Sequence, residues 1–172
     1  GTDVAYFQNK GARAIGIDAS EDLIKIARHN HPTLQFNVGY AEKLPYASNE
    51  FDSVYSKYAI MTSENLKPIF SEIHRVLKPG GVMVCLVAHP FRHYIEKKRI
   101  DANYFKKEVV SSVLFDGAVT VQEPSHNMMD YFNKNFFENF EMVDYLEAFD
   151  PTAEQINGAV YPGFMIIKAR KK

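Results

Sequence analysis

A nearly continuous apolar run at residues 82–87 (VMVCLV) limits the possible folds more than any other segment. A strand that is apolar on both faces must be covered on both faces, as parallel strands between layers of helices are. Before it, apolar side chains at residues 66–77 recur every three or four positions, which predicts an amphipathic helix capped by Ser63. Residues 79–81 (PGG) end that helix. Helix, turn and buried strand in this order predict one half of a βαβ unit.

The same alternation continues in both directions along the chain. Residues 11–18 predict a short strand that ends at Asp18, and a helix capped by Ser20 follows it. The other elements are expected, in chain order, at residues 34–38 (strand), 51–55 (strand), 128–140 (aromatic helix), 142–146 (strand) and 163–170 (strand). Strands that alternate with helices in this way predict an α/β fold with a doubly wound sheet.

Charge and composition argue against several classes of function. The 172 residues carry 20 basic and 21 acidic side chains, and this formal net charge of -1 argues against a nucleic-acid partner. No apolar stretch approaches the ~20 residues that span a membrane, so we expect no membrane partner and a cytoplasmic protein. The single cysteine, Cys85, is expected in the core, and we expect no metal site. We expect one domain over residues 1–172.

Three groups of residues follow the ends of predicted strands. Asp18 ends the first strand, residues 40–42 (Tyr40, Ala41 and Glu42) follow the second, and Ser56 ends the third. Ligands of open α/β sheets bind beyond the carboxyl ends of the strands. A carboxylate there either caps the next helix or accepts hydrogen bonds from both hydroxyl groups of a ribose. All three groups within one βαβ framework predict a cofactor site.

Three longer segments resemble a known family. GARAIGIDAS (residues 11–20), GYAEKLPYASNEFDSVYS (39–56) and HRVLKPGG (74–81) resemble class I S-adenosylmethionine-dependent methyltransferases of the type 11 group. The resemblance implies a Rossmann-like sheet that is mostly parallel, with an antiparallel C-terminal strand. It also implies S-adenosylmethionine as the cofactor, S-adenosylhomocysteine as its product, and transfer of a methyl group to a small-molecule acceptor.

The resemblance also implies roles for single residues. Asp18 would bind the two ribose hydroxyl groups of the cofactor, and Ala19 would line the adenine pocket beside it. Ala41 would donate its backbone N–H to the adenine ring. Ser56 would lie near the methionine part of the cofactor.

Two positions depart from the family pattern. Family members usually carry an acid at the position of Tyr40, so here the tyrosine would stack or donate, or Glu42 would supply the acceptor for adenine. Gly1 aligns with the last glycine of the family's glycine loop, and the strand before that loop is absent from the sequence. Because a missing central strand would expose two rows of backbone donors and acceptors, we expect upstream residues in the natural protein.

A catalytic base, where the acceptor needs one, is expected after the apolar run. His89 follows residues 82–87 at the end where substrates enter, and it is the first candidate. His126 is the second candidate, and either residue has the alternative of a structural, hydrogen-bonded histidine. His74 lies between core positions of the amphipathic helix and is expected to be structural or partly exposed.

We expect residues 91–129 to be an acceptor-site insertion within the domain. Large apolar side chains there form either the wall of an acceptor pocket or core packed over the sheet. They are Tyr94, Tyr104, Phe105, Phe115, Met128, Met129 and the nearby Tyr131. An NAD-dependent oxidoreductase would share the acid at a strand end but not the LPY…FD…LKPGG set. The alternative function is a methyltransferase-like scaffold that binds the cofactor without transferring the methyl group.

Overall fold

The structure is a computed structural model, and it describes residues 1–97, 103–114, 119–149 and 160–172. These residues form two compact units, Gly1–Tyr46 and Ala47–Lys172. Within this division, the expectation of a single domain over residues 1–172 stays a prediction.

The first unit contains two helices and a two-stranded parallel sheet. In chain order they are α1 (Thr2–Asn9), β1 (Ile15–Asp18), α2 (Glu21–Asn30) and β2 (Gln35–Val38). The parallel register runs from Ile15 opposite Gln35 to Asp18 opposite Val38. The core of this unit is apolar and consists of Ile24, Ala27 and Phe36, with Val4 and Leu34 packed against it. Helix α1 was not predicted from the sequence.

Helix α2 begins where the sequence predicts. The side-chain oxygen of Ser20 accepts a hydrogen bond from the backbone N–H of Leu23 at 3.3 Å, which satisfies one of the free donors of the first turn. Glu21 and Asp22 lie in that first turn, where the helix dipole favours negative charge. Helix α2 therefore begins directly after the end of β1.

The second unit contains a four-stranded sheet in the order β3-β4-β8-β7. Its elements begin with β3 (Phe51–Lys57), α3 (Leu66–Val76) and β4 (Leu77–Ala88), and they end with β7 (Phe140–Ala148) and β8 (Phe164–Lys171). Strands β3 and β4 are parallel, and β8 is antiparallel to both β4 and β7. Three strands thus run in one direction and the C-terminal strand runs against them, which confirms the predicted sheet. The predicted burial of Cys85 is also confirmed.

The cap of α3 differs from the prediction. A 3₁₀ turn, Ile60–Thr62, comes before the helix, and the backbone N–H of Ser63 donates to the carbonyl of Ile60 within that turn. The helix begins two residues later, where the side chain of Asn65 accepts from the N–H of Lys67 at 3.1 Å. The helix buries its apolar face against β4, α5 (Met128–Tyr131) and α6 (Lys134–Asn139).

Strand β4 is longer than the apolar run. Phe51 of β3 lies opposite Leu77, whereas Ser53 lies opposite Val82, so β4 advances by five residues while β3 advances by two. The extra residues form a tight excursion in which Gly80 has φ 76°, a backbone conformation that glycine adopts most readily. The LKPGG segment therefore forms a turn at the start of β4.

The aromatic segment at residues 128–140 is two helices, not one. Helix α5 ends at Tyr131, and Phe132 has non-helical backbone angles (φ -111°, ψ 74°). Asn133 then caps α6, because its side chain accepts from the N–H of Phe136 at 3.0 Å. A capping residue in the middle of the apolar pattern explains the break.

The region between β4 and α5 adds structure outside the main sheet. A short helix, α4 (Pro90–Arg92), continues into a π-helical turn at His93–Lys97. Among the described strands, β5 (Val109–Leu114) and β6 (Val119–Pro124) pair only with each other, in antiparallel orientation. This strand pair fits the predicted insertion at residues 91–129, whose role as an acceptor site stays a prediction.

Candidate functional site

In the first unit, Asp18 and the residues after β2 lie at the same edge of the sheet. Asp18 is paired with Val38, the last residue of β2, and the N–H of Gly39 donates to the carbonyl of Asp18 at 2.9 Å. The loop that contains Tyr40 therefore begins beside the end of β1. This is the carboxyl edge of parallel strands, where α/β proteins bind ligands.

One of the two oxygens of the Asp18 carboxylate is held by a hydrogen bond. Its Oδ1 accepts from the backbone N–H of Ser20 at 2.8 Å. The cap of α2 is Ser20 rather than Asp18, so the helix start does not need the second carboxylate oxygen. Among the described residues, Oδ2 of Asp18 has no hydrogen-bond partner.

The other predicted adenine residues form a turn after β2. The N–H of Lys43 donates to the carbonyl of Tyr40 at 3.1 Å, and the Tyr40 side chain is 64% exposed. Ala19 and Glu42 are exposed, and Ala41 is half-buried. In the described part of the chain, the N–H of Ala41 donates to no protein acceptor. A backbone N–H must be unpaired in this way to donate to the adenine ring.

Gly1 lies where there is no room for a side chain. A methyl group at this position would lie 2.7 Å from His31 Cδ2 and 3.3 Å from Ala27 Cβ. Gly1 therefore lets the start of α1 approach α2 closely. Close packing of helix and strand is the task of the last glycine in loops of this kind, and this fits the predicted alignment.

In the second unit, Ser56 and His89 lie at the carboxyl edge of β3 and β4. Ser56 is opposite Cys85, and His89 follows the end of β4. The Ser56 hydroxyl is buried and has no hydrogen-bond partner among the described residues. A buried hydroxyl without a partner is unfavourable, so it marks a position where a ligand or water would be bound.

His89 is fully buried, and both of its ring nitrogens have partners. Nδ1 accepts from the backbone N–H of Phe91 at 3.1 Å, so the ring proton is on Nε2, which lies 2.9 Å from Glu147 Oε1. Burial lowers the pKa of His89, although the hydrogen bond to Glu147 opposes this effect. As a base, His89 would have to give up one of these bonds, and the predicted catalytic role stays a prediction.

The other two histidines considered in the sequence analysis, His126 and His74, also have protein neighbours. His126 Nε2 lies 2.9 Å from the carbonyl of Met61, and Nδ1 lies 3.5 Å from Asp130 Oδ2. The half-buried ring of His74 meets Phe140 edge-on, and its pKa is lowered by burial and by Lys171. These contacts favour the structural interpretation of both residues.

The predicted acceptor wall divides into buried and exposed parts. Tyr131 is fully buried and belongs to the core, whereas Phe105 and Met129 are largely exposed. Tyr104 is at the centre of an aromatic group, and its hydroxyl accepts from the N–H of Met128 at 2.8 Å. Phe115 lies outside the described residues.

Two carboxylates near this region were missed in the sequence. Glu147 contacts His89, from which it is separated by 58 positions. Glu123 is buried with its Oε1 3.3 Å from Nε2 of the buried His93. No local sequence pattern connects residues so far apart. Glu147 lies in β7 and Glu123 in β6, and neither segment carries a site motif.

Two kinds of feature are absent from the part of the chain that the structure describes. Within the described ranges, no three His, Cys, Asp or Glu side chains gather in a way that would hold a metal ion. Among the described helices, none has the length and apolar character of a membrane-spanning segment.

A family model matches the first part of the chain. The family model that describes a methyltransferase domain matches residues 1–85. Residues 1–85 belong to the class I, type 11 methyltransferases. The methyltransferase match includes Asp18, Ala41 and Ser56, and it ends before His89.

One sequence relative and two solved structures are similar to this chain, the structures in fold alone. The demethylmenaquinone methyltransferase of Chlorobaculum parvum is 36% identical over 96 residues, which are 56% of this chain and 39% of that protein. The chain thus spans about two-fifths of the relative's length. A protein of Pyrococcus horikoshii has the same fold at 18% identity, with a TM-score of 0.76 over 100% of this chain and 77% of that one. An S-adenosylmethionine dependent methyltransferase from Mesorhizobium loti shares it at 22% identity, with a TM-score of 0.68 over 91% of this chain and 79% of that one.

Proposed function

We propose that this chain binds S-adenosylmethionine and transfers its methyl group to a small organic acceptor. The observation that carries the proposal is the position and hydrogen bonding of the Asp18 carboxylate. This residue lies within the methyltransferase match and at the carboxyl edge of β1 and β2. One of its oxygens is fixed by the N–H of Ser20, and the other has no partner among the described residues. A fixed, ionisable acceptor at this edge suits the adjacent hydroxyl groups of a ribose.

Other residues fit the same cofactor. The N–H of Ala41 is a free donor for the adenine ring, and the exposed Tyr40 ring and Glu42 carboxylate follow the same strand. Ala19 is exposed beside Asp18. Gly1 supports the close packing of α1. In the second unit, taken by itself, the buried Ser56 hydroxyl lacks a partner among the described residues and would suit a polar group of a ligand.

The chemistry makes modest demands on the protein. S-adenosylmethionine supplies a methyl group that is already activated for displacement. The chain's task is to hold the acceptor at attack distance and to exclude water. We assign the acceptor to residues 91–129. His89 is the residue that would take a proton if the acceptor carries one, after giving up one of its two hydrogen bonds.

One observation favours the alternative of a binding scaffold without transfer activity. Both ring nitrogens of His89 are engaged with Phe91 and Glu147, so the best-placed histidine has no free lone pair in this arrangement. Methyl transfer to an acceptor that needs no base is compatible with this arrangement. Turnover therefore decides between the two functions.

The first test is binding. Calorimetry should show saturable binding of S-adenosylmethionine, and Asp18→Asn should weaken it roughly 10- to 100-fold because a charge-assisted hydrogen bond to the ribose is lost. Asparagine keeps an oxygen for the N–H of Ser20, so α2 should remain intact. Asp22→Asn, whose side chain is exposed on the same helix, is the matched control and should bind normally. Equal affinities in both variants would show that Asp18 does not bind the ribose.

The second test is turnover. S-adenosylhomocysteine should form in the presence of a suitable acceptor, and the panel should contain phenols, amines and, because of the named relatives, demethylmenaquinone. Cofactor binding with no product for any acceptor class would favour the scaffold.

A further inference from the structure

Five side chains of the second unit form a connected series of contacts, which we call the His89 cluster. The ring of His89 stacks on Phe91 with centroids 5.4 Å apart, and Phe91 meets Tyr104 at 5.5 Å. The hydroxyl of Tyr145 donates to Glu147 Oε1 at 2.6 Å. The same oxygen accepts from Nε2 of His89 at 2.9 Å, which links Tyr145 and Glu147 to the aromatic rings.

Glu147 is fixed through one oxygen and free at the other. Tyr145 and His89 both donate to Oε1. In the described part of the chain Oε2 has no partner, and the side chain is 44% exposed. The carboxylate is therefore held in one orientation while a ligand from solvent can reach its second oxygen.

Among the described residues, the His89 cluster carries one negative charge that no cation neutralises. His89 is neutral, because Nδ1 accepts from the N–H of Phe91 and burial lowers its pKa. Tyr145 is a neutral phenol, since burial and the hydrogen bond to Glu147 raise its pKa. The hydrogen bond from Tyr145 keeps the pKa of Glu147 below its usual value. No described lysine or arginine pairs with this carboxylate.

Partly exposed aromatic rings belong to the His89 cluster or contact it. Phe91 and Tyr94 are exposed, and the ring of Tyr94 meets Tyr104 edge-on at 6.0 Å. Aromatic faces attract organic cations within about 6 Å through the ring quadrupole. A fixed carboxylate next to exposed aromatic rings is the combination that selects a cation with apolar substituents. A neutral acceptor would leave the carboxylate without a counter-charge, and an anion would be repelled.

We infer that the His89 cluster binds an alkylammonium group, and that this group belongs to the methyl acceptor. The second half of this inference rests on the proposed function, whereas the first half concerns binding alone. The cationic group serves recognition, because an ammonium ion has no lone pair to accept a methyl group. The reacting atom therefore lies elsewhere on the same acceptor.

The binding test compares two probes of equal shape and different charge. Choline and its uncharged analogue 3,3-dimethylbutan-1-ol are titrated into the full chain and followed by proton NMR of their methyl groups. Choline should bind about tenfold more tightly or better, and its methyl resonance should move upfield because of the aromatic rings. Equal affinities for the two probes, or no saturable binding of choline, would overturn the inference.

Variants then locate the site. Glu147→Gln keeps the shape and should reduce choline affinity about tenfold while leaving the neutral analogue within about twofold. Glu141→Gln, on the same strand and paired with Arg170, is the control and should bind choline normally.

Tyr104→Leu should diminish the upfield shift of the choline methyl resonance. Thermal unfolding confirms that each variant is folded. If Glu147→Gln fails to fold, Tyr145→Phe, which removes one donor to Glu147, should still weaken choline binding; unchanged binding there contradicts the site.

Transfer is measured separately, so the two proposals fail in different ways. Choline binding without any cofactor binding would reject the proposed function and leave the cation site standing. Transfer to demethylmenaquinone alone, with choline binding intact, would show that the alkylammonium group does not belong to the acceptor. Faster S-adenosylhomocysteine formation with an ammonium-bearing acceptor than with its neutral analogue supports both proposals, provided that Glu147→Gln removes the difference.

Discussion

Two groups of packed aromatic rings in the second unit differ in their polar partners. One, which we call the Phe136 cluster, consists of Phe70, Phe132, Phe136, Phe137 and Phe140. Phe136 is completely buried at its centre, with ring centroids 5.3 to 5.7 Å from its neighbours. The His89 cluster instead combines its rings with a hydroxyl, an imidazole and a half-exposed carboxylate. Aromatic content alone therefore does not separate core from binding surface, whereas the polar partners do.

The two clusters should respond differently to loss of a ring, and the largest effect is expected in the core. Phe136→Ala should reduce the free energy of unfolding by about 3–5 kcal/mol, because it removes a fully buried ring and leaves a cavity. Urea denaturation followed by circular dichroism measures the change. Phe105→Ala, at a position 70% exposed next to the His89 cluster, is the control and should cost less than about 0.5 kcal/mol. Similar losses in the two variants would show that the comparison is wrong.

A smaller effect should come from the cap that positions the Phe136 cluster. Asn133→Ala removes the side chain that accepts from the N–H of Phe136, and it should cost about 1 kcal/mol. Asn133→Ser, which keeps a capping oxygen, should restore most of the stability in the same urea experiment. A full loss in both variants would mean that the side chain acts through its bonds to Met129 and Asp130 rather than as a cap.

The smallest effect is a pH dependence that belongs to the His89 cluster. Burial lowers the pKa of His89 in the folded chain, so the unfolded chain binds its proton at higher pH. The resulting stability is fully present above pH ~6.5 and is lost as the pH falls through the folded pKa. Between pH 6.5 and 5.5 this should amount to at most about 1 kcal/mol.

The contribution of His89 is the difference between the unchanged chain and His89→Gln, each unfolded at both pH values. His74, whose pKa is also lowered by burial, remains in both proteins, so its contribution cancels. An identical pH dependence in the two proteins would show that His89 is not held neutral by its surroundings.

The sequence predicts those parts of the structure that local patterns control. Helix α2 and its cap at Ser20, the parallel strands β1 and β2, and the position of Asp18 at their edge are all local or follow from strand order. Helix α3 was predicted with the wrong cap. Ser63 and Asn65 both favour capping, and the choice is made by the 3₁₀ turn that uses the N–H of Ser63.

Contacts between distant parts of the chain could not be predicted. Glu147 reaches His89 only because β8 pairs with both β4 and β7 and so brings the ends of those strands into one sheet. Likewise, whether an aromatic side chain is exposed or buried depends on which distant residues pack over it. Tyr104 and Tyr131 have comparable sequence surroundings, yet one belongs to the His89 cluster and the other to the core.

The position of β8 has a consequence for synthesis of the chain on the ribosome. Strand β7 pairs only with β8 in the four-stranded sheet, and β8 also forms the link to β4. Until residues 164–171 have left the exit tunnel, β7 has no partner and β4 has one uncovered edge. The nascent chain therefore exposes open strand edges while translation proceeds, and exposed edges invite pairing with other chains. Binding by a chaperone during that interval would protect this sheet more than the first unit, whose two strands are already paired.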